Sequence, residues 1–182
     1  MKYEYHASRR TFVKTSLQLC AGLAVLSSPL HSLASLPGCK PMIFLHTHTG
    51  ERLKLDYSTD FCSLKHRDVD TFLRDFRTGD IHPIDPKLFD TIHKIRKLSG
   101  SRGDIEIISG YRSPATNARL RNRSNGVAKK SLHMQGQALD IRISDLSTRK
   151  LRDIAASLCH GGVGYYPKSD FVHIDTGKVR CW

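Results

Sequence analysis

The run S-L-H-M-Q-G-Q-A-L-D occupies residues 131–140, and a second run, F-V-H-I-D, occupies residues 171–175. Together they supply two imidazoles and a carboxylate, on His133, Asp140 and His173, and all three groups are good zinc ligands. Three protein ligands leave a position open for water, as in catalytic zinc sites, whereas structural sites fill all four positions, mostly with Cys. No Cys stands near His133 in the sequence. A metal bound here is therefore expected to take part in chemistry rather than to hold the fold.

Asp140 lies inside an apolar strand that we predict over residues 137–143. Alternate residues of a strand face the same side, so Ala138, Asp140 and Arg142 share one face. A carboxylate in an apolar strand is costly without a partner, and a metal ion would be one. His173 belongs to a second predicted strand, which could lie antiparallel beside the first. A single His is most often an ordinary surface or core residue, and the chain has ten. The joint pattern of the two runs favours a metal site.

Hydrophobic periodicity and turn residues predict the other elements. Gly50 joins the arms of a β-hairpin, and Asp85-Pro86 opens a helix that Gly100 stops. The apolar stripe of that helix, expected in the core, is Leu88, Phe89, Ile92, Ile95 and Leu98. The other predicted helices cover residues 68–77, 114–123 and 147–158. The predicted strands cover residues 42–47, 52–57, 105–110, 137–143, 161–166 and 171–175.

This order of elements predicts the fold class. Helices come first and strands dominate the end, with one helix crossing between strands, which is an α+β pattern. We expect a small antiparallel sheet with helices packed on one side. Of the 182 residues, 39% are hydrophobic, which is enough for a single domain with its own core.

The N-terminus has the pattern of an export signal. Residues 8–14 read S-R-R-T-F-V-K, a twin-arginine motif, and an uncharged, mostly apolar stretch follows over residues 17–30. That stretch is short for a membrane span, and small residues around Ala34 suit cleavage. We therefore predict a signal peptide at residues 1–34, a single domain at residues 35–182, delivery to the periplasm and no stable membrane anchor after cleavage. The alternative is an uncleaved helix or anchor.

Four of the five Cys follow the predicted signal, and an oxidising compartment permits disulfides between them. Three connectivities are open, and so is the alternative of free, partly buried thiols. The four residues are Cys39, Cys62, Cys159 and Cys181.

The formal net charge is +12, with a pI of about 9.7. Such a surface suits an anionic polymer, either nucleic acid, a membrane surface or a carboxylate-rich wall polymer, or it serves solubility alone. A cluster of basic residues could bind nucleic acid. Export and the lack of a nucleic-acid motif argue against this, so we predict no nucleic-acid partner. The cluster comprises Arg119, Arg121, Arg123, Lys129 and Lys130.

The motifs resemble those of a known family. The pattern S-x-H-x-x-G-x-A-x-D with a downstream His is similar to the D-Ala-D-Ala metallopeptidases of the VanX and VanY type, which share the zinc fold of hedgehog signalling domains. The segments S-G-Y-R-S, G-V-A-K-K-S, G-G-V-G-Y-Y-P and F-V-H-I-D-T-G resemble, more closely, the exported murein endopeptidase K group. The resemblance covers residues 42–182 and the twin-arginine start.

The resemblance implies roles for named residues. It places Zn²⁺ on His133, Asp140 and His173, with Arg112 near the scissile carbonyl, where a guanidinium suits a developing oxyanion. It places Ser131 near the D-Ala end of the substrate. The alternatives are a surface arginine for Arg112 and a loop-capping hydroxyl for Ser131.

The resemblance also bears on the general base. The resistance dipeptidases carry Glu three residues before the last zinc His, and the matching residue is Asp170. Asp175 is the rival, because it shares a strand face with His173, and it could instead hold the second ring nitrogen of His173. We favour Asp170, on the condition that it lies in a turn and swings its carboxylate toward the metal.

The function implied by the resemblance is zinc-dependent hydrolysis of murein cross-links of the D-Ala–diaminopimelate type, which would open the wall for growth. Two alternatives act on or bind the same polymer. One is a D,D- or L,D-carboxypeptidase on stem peptides, and the other is a non-catalytic wall-binding zinc module. The sequence carries no prediction of oligomeric state.

Overall fold

The computed structural model describes residues 41–56, 66–123 and 126–182, which belong to one compact unit, Cys39–Trp182. The predicted signal peptide, Cys39 and Cys62 lie outside the described residues. Cys159 and Cys181 are exposed free thiols, so the connectivity that joins these two to each other is not formed. None of the helices in the described ranges is long and apolar enough to cross a membrane.

Seven strands of the described chain form one sheet. They are β1 (Met42–His46), β2 (Arg52–Leu55), β3 (Ile105–Ser109), β4 (Ala138–Ile143), β5 (Gly162–Tyr166), β6 (Phe171–Asp175) and β7 (Arg180–Cys181). Their order is β2-β1-β3-β4-β6-β5-β7. The pairs β1–β3 and β5–β7 are parallel, and the other neighbours are antiparallel. The predicted hairpin and the α+β class are confirmed, but the sheet is mixed rather than antiparallel. The two helices between β2 and β3 provide the long connection that a parallel pair needs.

Four α-helices accompany the sheet within the described residues. They are α1 (His66–Phe72), α2 (Lys87–Ser99), α3 (Pro114–Arg123) and α4 (Thr148–Ser157), and a 3-10 helix covers Leu132–Gln135. The predicted signals for the start and end of α2 are confirmed. Asp85 Oδ1 accepts from the Lys87 amide at 3.0 Å, and Gly100 ends the helix in the left-handed conformation, with φ 69°.

The first helix ends earlier than the sequence predicted, at Phe72 instead of residue 77. Asp75 is the physical reason. Its amide donates to the Asp80 carbonyl at 2.9 Å, and its carbonyl accepts from the Gly79 amide at 2.7 Å. These bonds close a tight turn over residues 75–80 instead of a further helical turn.

One face of the sheet is the hydrophobic core, and α1, α2 and α4 cover it. Three side-chain contacts between helix and sheet show this: Phe72 with His46 (6.0 Å between ring centroids), Phe89 with Phe44 (5.7 Å) and Arg152 with Tyr165 (4.8 Å from guanidinium carbon to centroid). The predicted packing of helices on one side is therefore confirmed for these three.

The predicted core stripe of α2 is correct except at its last member. Leu88, Phe89, Ile92 and Ile95 are buried, whereas Leu98 is 61% exposed. At roughly 100° per residue, Leu98 falls on the flank of the stripe that the other four define.

The opposite face of the sheet carries polar groups. The register pairs Asp140 of β4 directly with His173 of β6, and it pairs Glu106 with Arg142 further along the same face. The strands that carry the two motifs, β4 and β6, are antiparallel neighbours, as predicted. The candidate ligands therefore lie on the face that the core helices leave uncovered.

Candidate metal centre

Three potential metal ligands converge on the open face of the sheet. His133 comes from the 3-10 helix, Asp140 from the middle of β4 and His173 from the middle of β6. Asp140 Oδ1 lies 3.2 Å from His133 Nε2 and 2.9 Å from His173 Nδ1, and the two ring nitrogens are 3.2 Å apart. One ligand atom from each residue lies within 4.8 Å of the others. The structure thus brings together all three residues that the sequence predicted.

The spacing of the ten-residue run follows from a tight turn at Gly136. This residue ends the 3-10 helix with φ 65°, and its amide donates to the His133 and Leu132 carbonyls. A side chain here would be strained by the backbone, and its Cβ would stand 2.0 Å from the Pro83 carbonyl oxygen. The glycine therefore allows the chain to reverse between His133 and Asp140.

The ring nitrogens that face away from the cluster are each held by an acceptor. His133 Nδ1 lies 2.8 Å from the Gly110 carbonyl, and His173 Nε2 lies 3.1 Å from Asp175 Oδ2. Each acceptor favours a proton on the outer nitrogen, so the inner nitrogen is the one that faces the cluster. Both imidazoles therefore have the orientation that a metal ligand would need.

Asp175 lies behind His173, where its carboxylate is fully buried. Its Oδ1 accepts from the Gly162 and Gly177 amides, each at 2.9 Å, and its Oδ2 accepts from Arg180 at 2.7 Å as well as from His173. Burial alone would raise the pKa of Asp175, but these donors hold it well below its usual range. With both oxygens engaged, Asp175 serves to position His173.

The charges of the three clustered side chains influence one another. Burial alone would raise the pKa of Asp140, but the two imidazoles lower it well below its usual range. Burial would lower the pKa of His173, but hydrogen bonds and charges from Asp140 and Asp175 raise it to about 9. The Asp140 and Asp175 carboxylates therefore stabilise a proton on His173. A metal cation bound at the cluster would displace that proton.

Arg112 stands beside the cluster, and its side chain is 11% exposed. Its guanidinium lies 3.5 Å from Asp140 Oδ2 and donates to Ser109 Oγ at 3.3 Å, while its amide donates to the His133 carbonyl at 3.1 Å. Arg112 therefore lies next to the three candidate metal ligands, as predicted.

The cluster forms the floor of a cleft of about 360 Å³. Ser131 lines this cleft, and its contact with substrate, which the resemblance implied, stays a prediction. Charged and aromatic side chains line much of the rest, namely Arg112, Lys130, Tyr166, Phe171, Arg180 and Trp182, and residues 126–128 and Leu132 complete the lining.

Asp170, the favoured general base, is not among the residues that line the cleft. It does lie in the turn before β6, with φ 51°, which is the condition that we set. Its carboxylate, however, accepts from Thr148 Oγ1 at 3.0 Å and lies 3.6 Å from the Arg142 guanidinium. The turn directs the carboxylate toward the start of α4 and not toward the three ligands.

Two residues near the site were missed in the sequence. Asp75, which is 1% exposed, accepts from the Ser113 amide at 2.9 Å and the Arg77 amide at 3.0 Å, and so anchors the loop that carries Arg112. No clear signal in the sequence marked it, because Asp75 falls beside the apolar stripe of the predicted helix and not within it. Trp182 joins the cleft through β7, a strand of two residues that is too short for its alternation to be read.

Comparison with known proteins agrees with this geometry. Residues 36–182 match the family Peptidase_M15_2, described as Peptidoglycan L,D-endopeptidase MepK. The protein of that name from Escherichia coli (strain K12) is 40% identical to this chain over 186 residues, which cover 98% of this chain and 99% of the relative. A probable peptidoglycan L,D-endopeptidase MepK from Haemophilus influenzae is 41% identical over 167 residues, which cover 90% of each chain. The chain therefore belongs to this family of peptidases.

Proposed function

We propose that this chain is a zinc-dependent peptidoglycan endopeptidase that cuts an L,D bond in cross-linked stem peptides. The observation that carries the proposal is the convergence of His133, Asp140 and His173 on the floor of an open cleft. The names of the relatives support the substrate class and the type of bond.

The donor set fits zinc. Two neutral imidazoles and one carboxylate are typical of catalytic zinc sites, and the outer acceptors at Gly110 and Asp175 set the tautomers that such ligation needs. Zinc bound here would polarise the substrate carbonyl as a Lewis acid and lower the pKa of coordinated water.

The protein's own groups would then orient the substrate. Arg112 presents a fixed, permanently charged fork of donors beside Asp140, where it can bind the scissile carbonyl oxygen and stabilise the charge that develops on it. Ser131 offers a hydroxyl on the cleft wall for the polar end of the peptide. Asp175 keeps the His173 ring in place while the charge around it changes.

The proposed bond differs from the one that the sequence alone suggested. A D-Ala–diaminopimelate cross-link joins two centres of D configuration, whereas the relatives are named for an L,D bond. We therefore propose a bond whose carbonyl belongs to an L centre and whose amine belongs to a D centre.

The substrate class also suggests where the protein acts. We propose export by the twin-arginine route, removal of residues 1–34 and activity in the periplasm. The support is the S-R-R-T-F-V-K motif with its apolar stretch, and a basic chain that suits a carboxylate-bearing wall.

Digestion of defined muropeptides tests the activity. The protein with Zn²⁺ is expected to convert an L,D-linked dimer into monomers, seen by mass spectrometry, and to leave a D-Ala-linked dimer intact. His133→Ala should abolish this conversion, because it removes one of three ligands. Intact L,D-linked dimers together with stem peptides that lose a terminal residue would identify a carboxypeptidase instead.

A further inference from the structure

The cleft has one aromatic wall, formed by Tyr166, Phe171 and Trp182. Tyr166 and Phe171 stack at 4.6 Å between ring centroids, and the Trp182 ring lies 5.3 Å from the ring of His173. In the sheet order, Trp182 follows β7 at one edge, and Arg112 follows β3 on the other side of the metal ligands. The aromatic wall and Arg112 therefore flank the metal centre from opposite sides.

Trp182 is held firmly for a residue that is 51% exposed. Its amide donates to the Val163 carbonyl at 3.2 Å, its carbonyl accepts from the Tyr165 amide at 2.9 Å, and its indole N–H donates to Tyr166 Oη at 2.9 Å. The guanidinium of Arg180 lies 4.9 Å from the ring centroid. Backbone, side-chain and cation–π contacts thus fix an aromatic surface that solvent still reaches.

Gly164 makes room for this ring. A Cβ on Gly164 would stand 2.6 Å from Trp182 Cε2 and 2.7 Å from Cζ2, which is closer than carbon atoms can approach. Gly164 is also the residue of β5 that pairs with His173. The sheet therefore brings the indole next to a metal ligand because the intervening residue has no side chain.

We propose that Trp182 is a specificity-determining residue, whose indole binds the aliphatic part of the diamino acid in the cross-link. This inference rests on the proposed function. A diamino acid presents a methylene chain between polar ends, and an aromatic face takes methylene groups out of water. On the other side, the exposed Lys130 offers positive charge to a stem-peptide carboxylate, while Arg112 faces the scissile carbonyl. The cleft thus distinguishes the two parts of one substrate.

Steady-state kinetics of the zinc-loaded protein on the L,D-linked dimer test this role. Trp182→Ala is expected to raise KM about tenfold with unchanged zinc content and little change in kcat, because it removes a binding contact that ground and transition states share. Trp182→Phe should retain most of the affinity, since it keeps a ring. Gly164→Ala should resemble Trp182→Ala, because the added methyl displaces the indole.

Val179→Ala is the matched control. Val179 is 59% exposed, lies three positions before Trp182 and does not line the cleft. Its replacement is expected to leave KM and kcat unchanged. If Trp182→Ala leaves KM unchanged, or lowers kcat and zinc content together at the same KM, the ring only supports His173 and the inference is wrong.

Fluorescence provides a second measurement, since Trp182 is the single tryptophan of the chain. A dimer in which a methylene replaces the scissile carbonyl should bind without turnover and should shift or quench the emission in a saturable way. A dimer with shortened diamino acids should bind less tightly. Saturable binding without any change in emission would contradict the inference. Failure of the wild type to cut the dimer, with this optical response intact, would overturn the proposed activity and not the role of Trp182.

Discussion

At the scale of single residues, the clearest prediction concerns Asp175, because its carboxylate holds His173 and has no access to the cleft. Asp175→Asn replaces one acceptor oxygen by a donor, so either His173 or the amides of Gly162 and Gly177 lose a partner. We expect zinc affinity to fall about 10–100-fold, as is typical when an outer partner of a ligating His is removed. Competition against a chromophoric chelator measures this change.

Asp170→Asn is the companion variant. The Asp170 carboxylate accepts a hydrogen bond from Thr148 and lies near the Arg142 guanidinium, on the exposed side of the turn. Because it does not face the cleft, we expect the variant to have wild-type zinc content and near wild-type turnover. A variant with full zinc content and little turnover would show that Asp170 takes the proton, as the sequence alone had favoured.

At the scale of elements, the turn after α1 supports the loop that carries Arg112. Asp75→Ala leaves the amides of Ser113 and Arg77 without their acceptor, which we expect to cost about 2 kcal/mol of unfolding free energy. Urea unfolding measures this cost. Asp80→Ala, at an exposed position of the same turn, is the control and should cost much less.

The same carboxylate predicts a dependence of stability on pH. Burial alone would raise the pKa of Asp75, but hydrogen bonds from Thr116, Ser113 and Arg77 lower it below the usual value. A lowered folded-state pKa stabilises the fold above the unfolded pKa of about 4, and this contribution is lost as pH falls further. The melting temperature of the wild type should therefore fall more steeply below that pH than that of Asp75→Asn.

The elements also show which parts of the fold can be predicted from the sequence. Local signals were enough to predict β4 and β6, because their apolar and polar residues alternate. They were also enough to predict α2, because Asp85 and Gly100 mark its two ends. The parallel pairing of β1 with β3 depends on contacts between distant segments, which no local pattern encodes. The clustering of the three candidate metal ligands was predictable because such a combination of side chains is rare. The position of Asp170 was not, because it depends on how one turn directs one side chain.

At the scale of the whole molecule, export is testable apart from catalysis. Replacement of Arg9 and Arg10 by Lys should leave the full-length precursor in the cytoplasm, because the twin-arginine translocase reads that pair. Fractionation with an antibody to the mature domain measures it. Unchanged periplasmic delivery in a strain without that translocase would refute the route.

The net charge leads to the last prediction. The predicted signal peptide carries four of the basic residues and one acidic residue, so the mature chain would keep +9 of the +12 formal charges. The mature chain should therefore be attracted to the carboxylates of intact sacculi over distances of about one Debye length, roughly 10 Å at 0.1 M salt. The exposed arginines of α3, Arg119, Arg121 and Arg123, concentrate part of that charge on one helix. We expect binding to sacculi to fall steeply as salt rises, and to fall further when these three become Ala. Turnover of a soluble dimer should depend far less on either change, because the proposed contacts of the metal centre and Trp182 with substrate act at contact distance. If both changes affect sacculi and soluble dimers alike, the arginines act within the cleft and not on the polymer around it.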